Sequence, residues 1–506
     1  MTMTKHLKII GFVLLASSTL FLNSCTPETT SSADTKEAEK TDAKEPKGKQ
    51  TPAPEIGKLD GEEAVAFSVG MNAITTFFPV AFYEDLMRNR ISPDSEEKTG
   101  NPQAFINQFS LVRQLRGPKY KLIATPNNDT YYCQAYCDVS TEPLVFHIPE
   151  MEPDRYFIFQ FWDPNGDTFE YLGSRTIGSQ GGDFALVGPN YQGSVPKSLP
   201  VVKAPYENFV IWGRVGVLAG ENDPDKVHAI QDQLELSFIS DYLNGESVPA
   251  YSEEKSKERL SIEIPEDLPD GLEWYFKIAE ALKHTAPKRQ DSALLVSMEY
   301  IGYSDHGKSF NYKDLSESQI SGLRTASQYA FHMMDIVAQS VGEEVNGWRW
   351  SPRSGILGND YLFRAAWARW YTGGNSAEEA IYMDGRNDDT GAAFDTNKKY
   401  VIHFPSDQLP RVQAFWSISM YNLSDGSFTE NEINRYSIGS NTQGLQYNPD
   451  GSLDIYIQRE RPEEKLVSNW LPSPKDDGFY LDLRLYNPDN SLQNGTWAPP
   501  AVKFVQ

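Results

Sequence analysis

Residues 125–132 read "TPNNDTYY" and set Asn127, Asn128, Asp129 and Thr130 side by side, directly ahead of two tyrosines. A carboxylate flanked by carboxamides and a hydroxyl can take and return a proton while its neighbours polarise or orient a substrate. The same residue types also make turns, because an Asn or Asp side chain accepts from the backbone two residues on. One such acceptor, Asn127 or Asn128, is enough for a turn; the stretch carries more than that. Asp129 and Asn128 are therefore candidates for catalysis, and Asn127, Thr130 and Tyr132 for substrate contact, with plain capping as the competing use. Arg175, in "GSRTIG", is a cation between glycines suited to holding a carboxylate, and it completes the candidate catalytic set. Its structural alternative is an ion pair with Asp129 or Asp163. Arg364, Trp416 and Arg435 are further substrate-contact candidates, in the company of Tyr421 and Trp470. Aromatics on strands serve a core more often than a ligand, and Arg435 beside Tyr436 equally makes a stacked surface pair. His403, within a strand, reads as a hydrogen-bonded core histidine, with general-base chemistry as its other use.

These residues need elements to hold them. Residues 61–90 have helical periodicity, with Ala64, Phe67, Met71, Ile74, Phe77 and Phe78 to one side. From about 119 to 218 the pattern is that of strands: "PLVFHIP", "RYFIFQFWD", "FALVGP" and "NFVIWGRVGVL" are β-branched and aromatic, separated by turn residues. Helices follow a polar loop at about 245–270. The clearest spans 317–341, where Ser316 and Gln319 spell a capping box. "YLFRAAWARWY" is another. From Tyr400 onward strands return, and "FYLDLRLY" alternates with Phe479, Leu481, Leu483 and Leu485 on one face. The organisation is multidomain α+β, two antiparallel β regions bracketing a helical one.

The chain of 506 residues opens with an apolar run, Leu7 to Leu22, ending in "LNSC". That pattern is an export signal of the lipoprotein type, with Cys25 as the acylated residue. Residues 26–58 offer almost nothing apolar and read as a disordered tether. The expected setting is a bacterial cell envelope, lipid-anchored at the outer membrane. No later run reads as long and apolar enough to span a bilayer. The formal net charge of −24 repels phosphate backbones and argues against nucleic-acid binding. Cys133 and Cys137 fall about 13 Å apart on one face of a strand, too far for a disulfide, and read as buried thiols. No histidine pair has zinc-ligand spacing, and no phosphate loop or nucleophile elbow is present, so no metal or cofactor is expected. "DPNGD", Asp163 to Asp167, starts like a calcium loop but lacks its glycine and glutamate, and reads as a turn.

"TPNNDTYY", "DVSTEPLVFHIPEMEPDRYFIFQFWD", "GSRTIG" and "ALVGP", in that order, resemble the bacterial domain of unknown function 1254. "RAAWARWY", "EEAIY", "YVIHF", "LPRVQAFWSISMY", "NRYSIGS", "DGSLDIYIQ", "NWLPSP", "FYLDLRLY" and "GTWAPP" resemble its companion, domain of unknown function 1214. The resemblance implies a β-barrel-like N-terminal domain with a leading helix (59–220), a mainly helical region (221–375) and a jelly-roll-like C-terminal domain (376–506). It implies no settled activity. "FWDPNGDTF" is richer in turn residues than that family's usual segment, which weakens a role for Asp163. Two functions stay open: an envelope hydrolase or lyase acting on a small organic or sugar-like molecule by carboxylate acid–base chemistry, and a non-catalytic ligand-binding or scaffolding lipoprotein. Beyond a small-molecule ligand and the lipid anchor, the one partner envisaged is a second copy of the chain.

Overall fold

The computed structural model describes residues 57–121, 124–218, 223–246 and 248–505. The export signal, Cys25 and the tether up to residue 56 lie outside the described residues. The described residues form one compact unit.

The first helix, Gly61–Ile91, starts where Asp60 Oδ1 accepts the Glu63 N–H at 2.8 Å. Glu62 and Glu63 in its first turn and Arg88 and Arg90 in its last complement the helix dipole. By length and composition it could cross a membrane, which corrects the expectation that no later run could. Its apolar surface has another use. It packs against the helices Glu317–Ser340, Glu273–Leu282 and Tyr361–Trp370 as the centre of a helical layer. Glycines allow the close approach: a Cβ on Gly322 would lie 2.4 Å from the Glu63 carbonyl oxygen. The Ser316–Gln319 capping box is formed, with Ser316 Oγ accepting the Gln319 N–H at 3.2 Å and Gln319 Oε1 accepting the Ser316 N–H at 2.9 Å. Leu323, Ala330 and Met334 of that helix are fully buried.

Nine strands follow the first helix: β1 (Ser110–Leu111), β2 (Thr130–Asp138), β3 (Leu144–Ile148), β4 (Phe157–Trp162), β5 (Thr168–Gly173), β6 (Gly182–Val187), β7 (Val201–Lys203), β8 (Asn208–Gly216) and β9 (Glu235–Phe238). They form a five-stranded sheet, β1-β2-β8-β4-β5, and a four-stranded sheet, β7-β6-β3-β9. Cys133, Phe159 and Ile211 from the first meet Phe146, Leu186 and Leu236 from the second in one core. Neither sheet closes on itself among the described residues. The expected barrel is thus an open pair of sheets; β1 and β7, at its edges, are too short to carry pairing further around.

A hairpin, β10 (Tyr303–Ser304) and β11 (Ser309–Phe310), sits in the helical layer. The last ten strands are β12 (Glu343–Val345), β13 (Trp348–Trp350), β14 (Ala380–Gly385), β15 (Lys399–Phe404), β16 (Trp416–Asn422), β17 (Ser437–Gly439), β18 (Leu453–Gln458), β19 (Trp470–Pro472), β20 (Phe479–Tyr486) and β21 (Val502–Val505). A six-stranded sheet, β12-β13-β14-β20-β16-β17, packs on a four-stranded one, β19-β18-β15-β21. Their core joins Ile381, Ile418 and Leu483 to Ile402, Ile455 and Val502. The layers do not follow the sequence segments. The leading helix belongs to the helical layer, β9 joins the first β region from beyond residue 220, and β12 and β13 join the last from before residue 376.

Candidate functional site

On β20 the residues Phe479, Leu481, Leu483 and Leu485 enter the C-terminal core. The other face carries Tyr480, Asp482, Arg484 and Tyr486, and it is buried as well. The pairing register places Arg484 between Ser417 on β16 and Tyr382 on β14, and Asp482 between Ser419 and Asp384. What covers this polar face is the "TPNNDTYY" segment. Tyr421 Oη donates to the Pro126 carbonyl at 2.6 Å, Arg484 Nη2 to the Thr125 carbonyl at 3.2 Å, and Asn127 Nδ2 to Tyr486 Oη at 3.0 Å. The two β regions therefore meet along a polar seam.

Within the seam the roles in the opening stretch separate. Asn127 is the turn's cap: its Oδ1 accepts the N–H groups of both Asp129 and Thr130. Asn128 Nδ2 donates to the Arg116 carbonyl at 2.9 Å, and its Oδ1 accepts from Ser437 Oγ at 3.0 Å. Asp129 is left to face the C-terminal sheet, where Ser417 Oγ donates to its Oδ2 at 2.6 Å and Ser437 Oγ to its Oδ1 at 3.3 Å. Burial raises the pKa of Asp129, and Arg484, the two serines and Tyr486 pull it part of the way back. Asp482 forms an ion pair with Arg484 at 2.8 Å. Its own pKa is pushed up to about 6, first by burial and then by Asp384 and Asp129, against the pull of Arg484. Asp384 is raised too, by burial, although Arg386 binds it at 2.6 Å. Arg484 also donates to Ser419 Oγ and Tyr421 Oη, each at 2.8 Å. The seam thus holds carboxylates from both β regions around one arginine, an arrangement able to keep one acid protonated while another is ionised.

Tyr132 lies on the seam side of β2, opposite Arg214 of β8, whose guanidinium stands 5.7 Å from the ring centre. Arg214 is buried and among the described residues donates to neutral acceptors, Gln160 Oε1, Asn375 Oδ1 and the Gly373 carbonyl, with the Glu379 carboxylate within electrostatic reach. Tyr382, Tyr132, Tyr156 and Tyr486 surround it. Arg175 does not meet Asp129 or Asp163. The short helical turn Ser174–Ile177 points it at Glu379, with Nε 2.7 Å from Oε2, and that carboxylate also receives Tyr156 Oη at 2.9 Å.

The other sequence candidates lie away from this group. Arg364 is fully buried in the helical layer, donating to the Thr76 carbonyl at 3.0 Å and standing over the Tyr361 ring. Trp416 is in the C-terminal core against Phe404. Arg435 Nη1 gathers the carbonyls of Val467, Ser468 and Trp470, and Trp470 is buried with its indole on the Gln458 carbonyl. His403 is half-exposed rather than core: it is on the outward face of β15, where Nδ1 lies 2.6 Å from Asp454 Oδ1. Cys133 and Cys137 are free and buried, and burial pushes the Cys133 thiol up to about 12. Asp163 caps its own loop, accepting the N–H groups of Asn165 and Asp167.

Comparison with known proteins bears on this same geometry. The family described as Protein of unknown function (DUF1254) matches residues 106–237, and Protein of unknown function (DUF1214) matches residues 379–490. The chain thus matches both parts of this two-part family, in N- to C-terminal order. Its first part supplies Asp129, Tyr132 and Arg214; its second supplies Asp384, Ser417, Ser437, Asp482, Arg484 and Tyr486. The two parts touch along the seam, and again where Arg175 and Tyr156 meet Glu379. The crystal structure of the VPA0106 protein from Vibrio parahaemolyticus matches with a TM-score of 0.62 at 22% identity, over 87% of this chain and 100% of that one, which shows a shared fold. An uncharacterized protein from Burkholderia cenocepacia matches with a TM-score of 0.40 at 12% identity, over 88% of this chain and 95% of that one. No curated protein matches.

Proposed function

We propose that the seam is an active site for acid–base chemistry on a small organic or sugar-like molecule, making the protein a hydrolase or lyase. The observation that carries this reading is that Asp129 and Asp482, from different parts of the family, converge on Arg484, with burial raising the pKa of each. In this reading Asp482 exchanges the proton, while Asp129, oriented by Ser417 and Ser437, is the second carboxylate. Arg214, a buried cation bonded to neutral acceptors, holds an anionic group of the substrate, the role the sequence assigned to Arg175. Turnover of 4-nitrophenyl glycosides and esters, and release of unsaturated product from uronates, tests it. Asp129→Asn and Asp482→Asn are expected to lose about 100-fold or more. Wild-type rates in both variants would refute the assignment.

A second reading, ligand binding without turnover, draws on the saturated hydrogen bonding of Asp129. It predicts ligand-dependent melting with no product. We further propose that Cys25 carries the anchor that holds the body to the outer membrane and that the C-terminal pair of sheets is jelly-roll-like. Membrane fractionation of Cys25→Ala checks the anchor: release into the soluble fraction is expected.

A further inference from the structure

The outward face of β15, β18 and β21 lies away from the seam and carries a different kind of surface. The inward residues Tyr400, Ile402, Phe404, Leu453, Ile455, Ile457 and Val502 are buried. The outward ones border a shallow groove of about 430 Å³, among them Lys399, His403, Asp454, Tyr456, Gln458 and Lys503. That size is in the usual range for small-molecule sites. Val401 pairs with Tyr456 on one side and with Lys503 on the other, so the backbones of Tyr456 and Lys503 lie two strand spacings, about 10 Å, apart. His403 pairs with Asp454, whose second oxygen accepts from Asn448 Nδ2 at 2.9 Å. Asp454 thus holds the imidazole through Nδ1, and among the described residues Nε2 has no protein partner. Lys399 and Lys503 are exposed and unpaired among the described residues. The groove's lining sets these two lysines against one carboxylate, Asp454, which His403 engages.

We propose that this groove binds an acidic oligosaccharide. A sugar ring has an apolar face that rests on a tyrosine ring and hydroxyls that pair with amide and imidazole groups. Tyr456, Gln458 and His403 supply those three contacts. Uronate carboxylates at the ends of a short oligomer meet Lys399 and Lys503. The lysines are what separate this occupant from a neutral glycan. The shallow, polar form of the groove disfavours an acyl chain.

Isothermal titration of the full chain in detergent with trigalacturonic acid tests the proposal, with cellotriose as the neutral control. Trigalacturonic acid is expected to bind, and more weakly as NaCl is raised from about 20 to 200 mM, because exposed charge pairs are screened. Tyr456→Ala and the double variant Lys399→Glu/Lys503→Glu are each expected to weaken binding about 10-fold or more with unchanged melting, since all three side chains face solvent. The double variant should also invert the salt dependence, because its two glutamates repel the uronates and salt screens that repulsion. No detectable binding by wild type, equal binding of cellotriose, or wild-type affinity in both variants would overturn it.

Discussion

Replacing Asp482 by Asn should change how stability depends on pH, and the change can be worked out from the seam. The folded carboxyl titrates at about 6, against an ordinary value of 3.8. That gap corresponds to roughly 2–3 kcal/mol. Below pH 3.8 both folded and unfolded chains hold the proton, and above 6 both have released it. Between these limits the folded chain holds more protons, so stability falls as pH rises. A body of roughly 450 residues unfolds with an entropy near 1 kcal/mol per kelvin, so Asp482 should lower the melting temperature by about 2–3 °C between pH 4 and pH 7. Asn does not titrate and lacks that component. The attraction of Arg484 for the ionised form is already contained in that folded value, so its loss adds no separate component to the comparison. Asp163, also near 6, contributes the same slope to both proteins. Scanning calorimetry of wild type and Asp482→Asn at four pH values measures the difference directly. Parallel curves, or a wild type that gains on the variant as pH rises, would refute the argument.

Asn127→Ala should cost about 1 kcal/mol as a lost turn cap, whereas Asp129→Asn should melt at or above wild type at pH 7.5, because burial disfavours the charge it removes; thermal melts of the two variants decide between cap and site. Arg155→Met should be severe, since Arg155 holds the buried Asp223 at 2.6 Å and an unpaired buried carboxylate costs roughly 3–5 kcal/mol; calorimetry should find a fall of several degrees. Gly322→Ala should cost about 1–3 kcal/mol by forcing apart two helices that have no room for a Cβ, read as a lower urea midpoint.

Much of the fold is legible because period and capping are local. The Ser316–Gln319 box and the alternation of "FYLDLRLY" depend on residues within a few positions, and both elements form where they are expected. What the sequence hides is which element joins which layer. The leading helix precedes the first strands by few residues, yet its apolar surface is used by helices more than 150 positions later, and nothing local encodes that choice. The site was half visible for the same reason. "TPNNDTYY" is a conspicuous cluster, but its electrostatic partner is Arg484, not the nearer Arg175. A signal for Arg484 did exist. The residues of "FYLDLRLY" that do not enter the core are Tyr, Asp, Arg and Tyr, an unusual set for a central strand. "WSISMY" likewise offers Ser417, Ser419 and Tyr421 opposite its apolar face. Reading both faces of each strand, rather than the apolar one alone, points to a buried polar surface.

That polar surface also bears on why the two β regions stay together. An apolar seam would gain about 25 cal/mol for each Å² buried, without the desolvation cost of Asp482, Arg484 and Arg214. Replacing a buried ion pair with apolar residues of similar size is often neutral or stabilising by about 1–4 kcal/mol, whereas removing one member is costly. Asp482→Leu combined with Arg484→Met should therefore melt near or above wild type, while Arg484→Met alone, which strands Asp482 and weakens the hold on Asp129, should melt several degrees lower. If the double variant keeps its stability but loses turnover or ligand-dependent melting, the charges serve the site rather than the fold. A double variant that unfolds as readily as Arg484→Met would instead make the pair a structural clasp between the two parts, and the seam would lose its claim to chemistry.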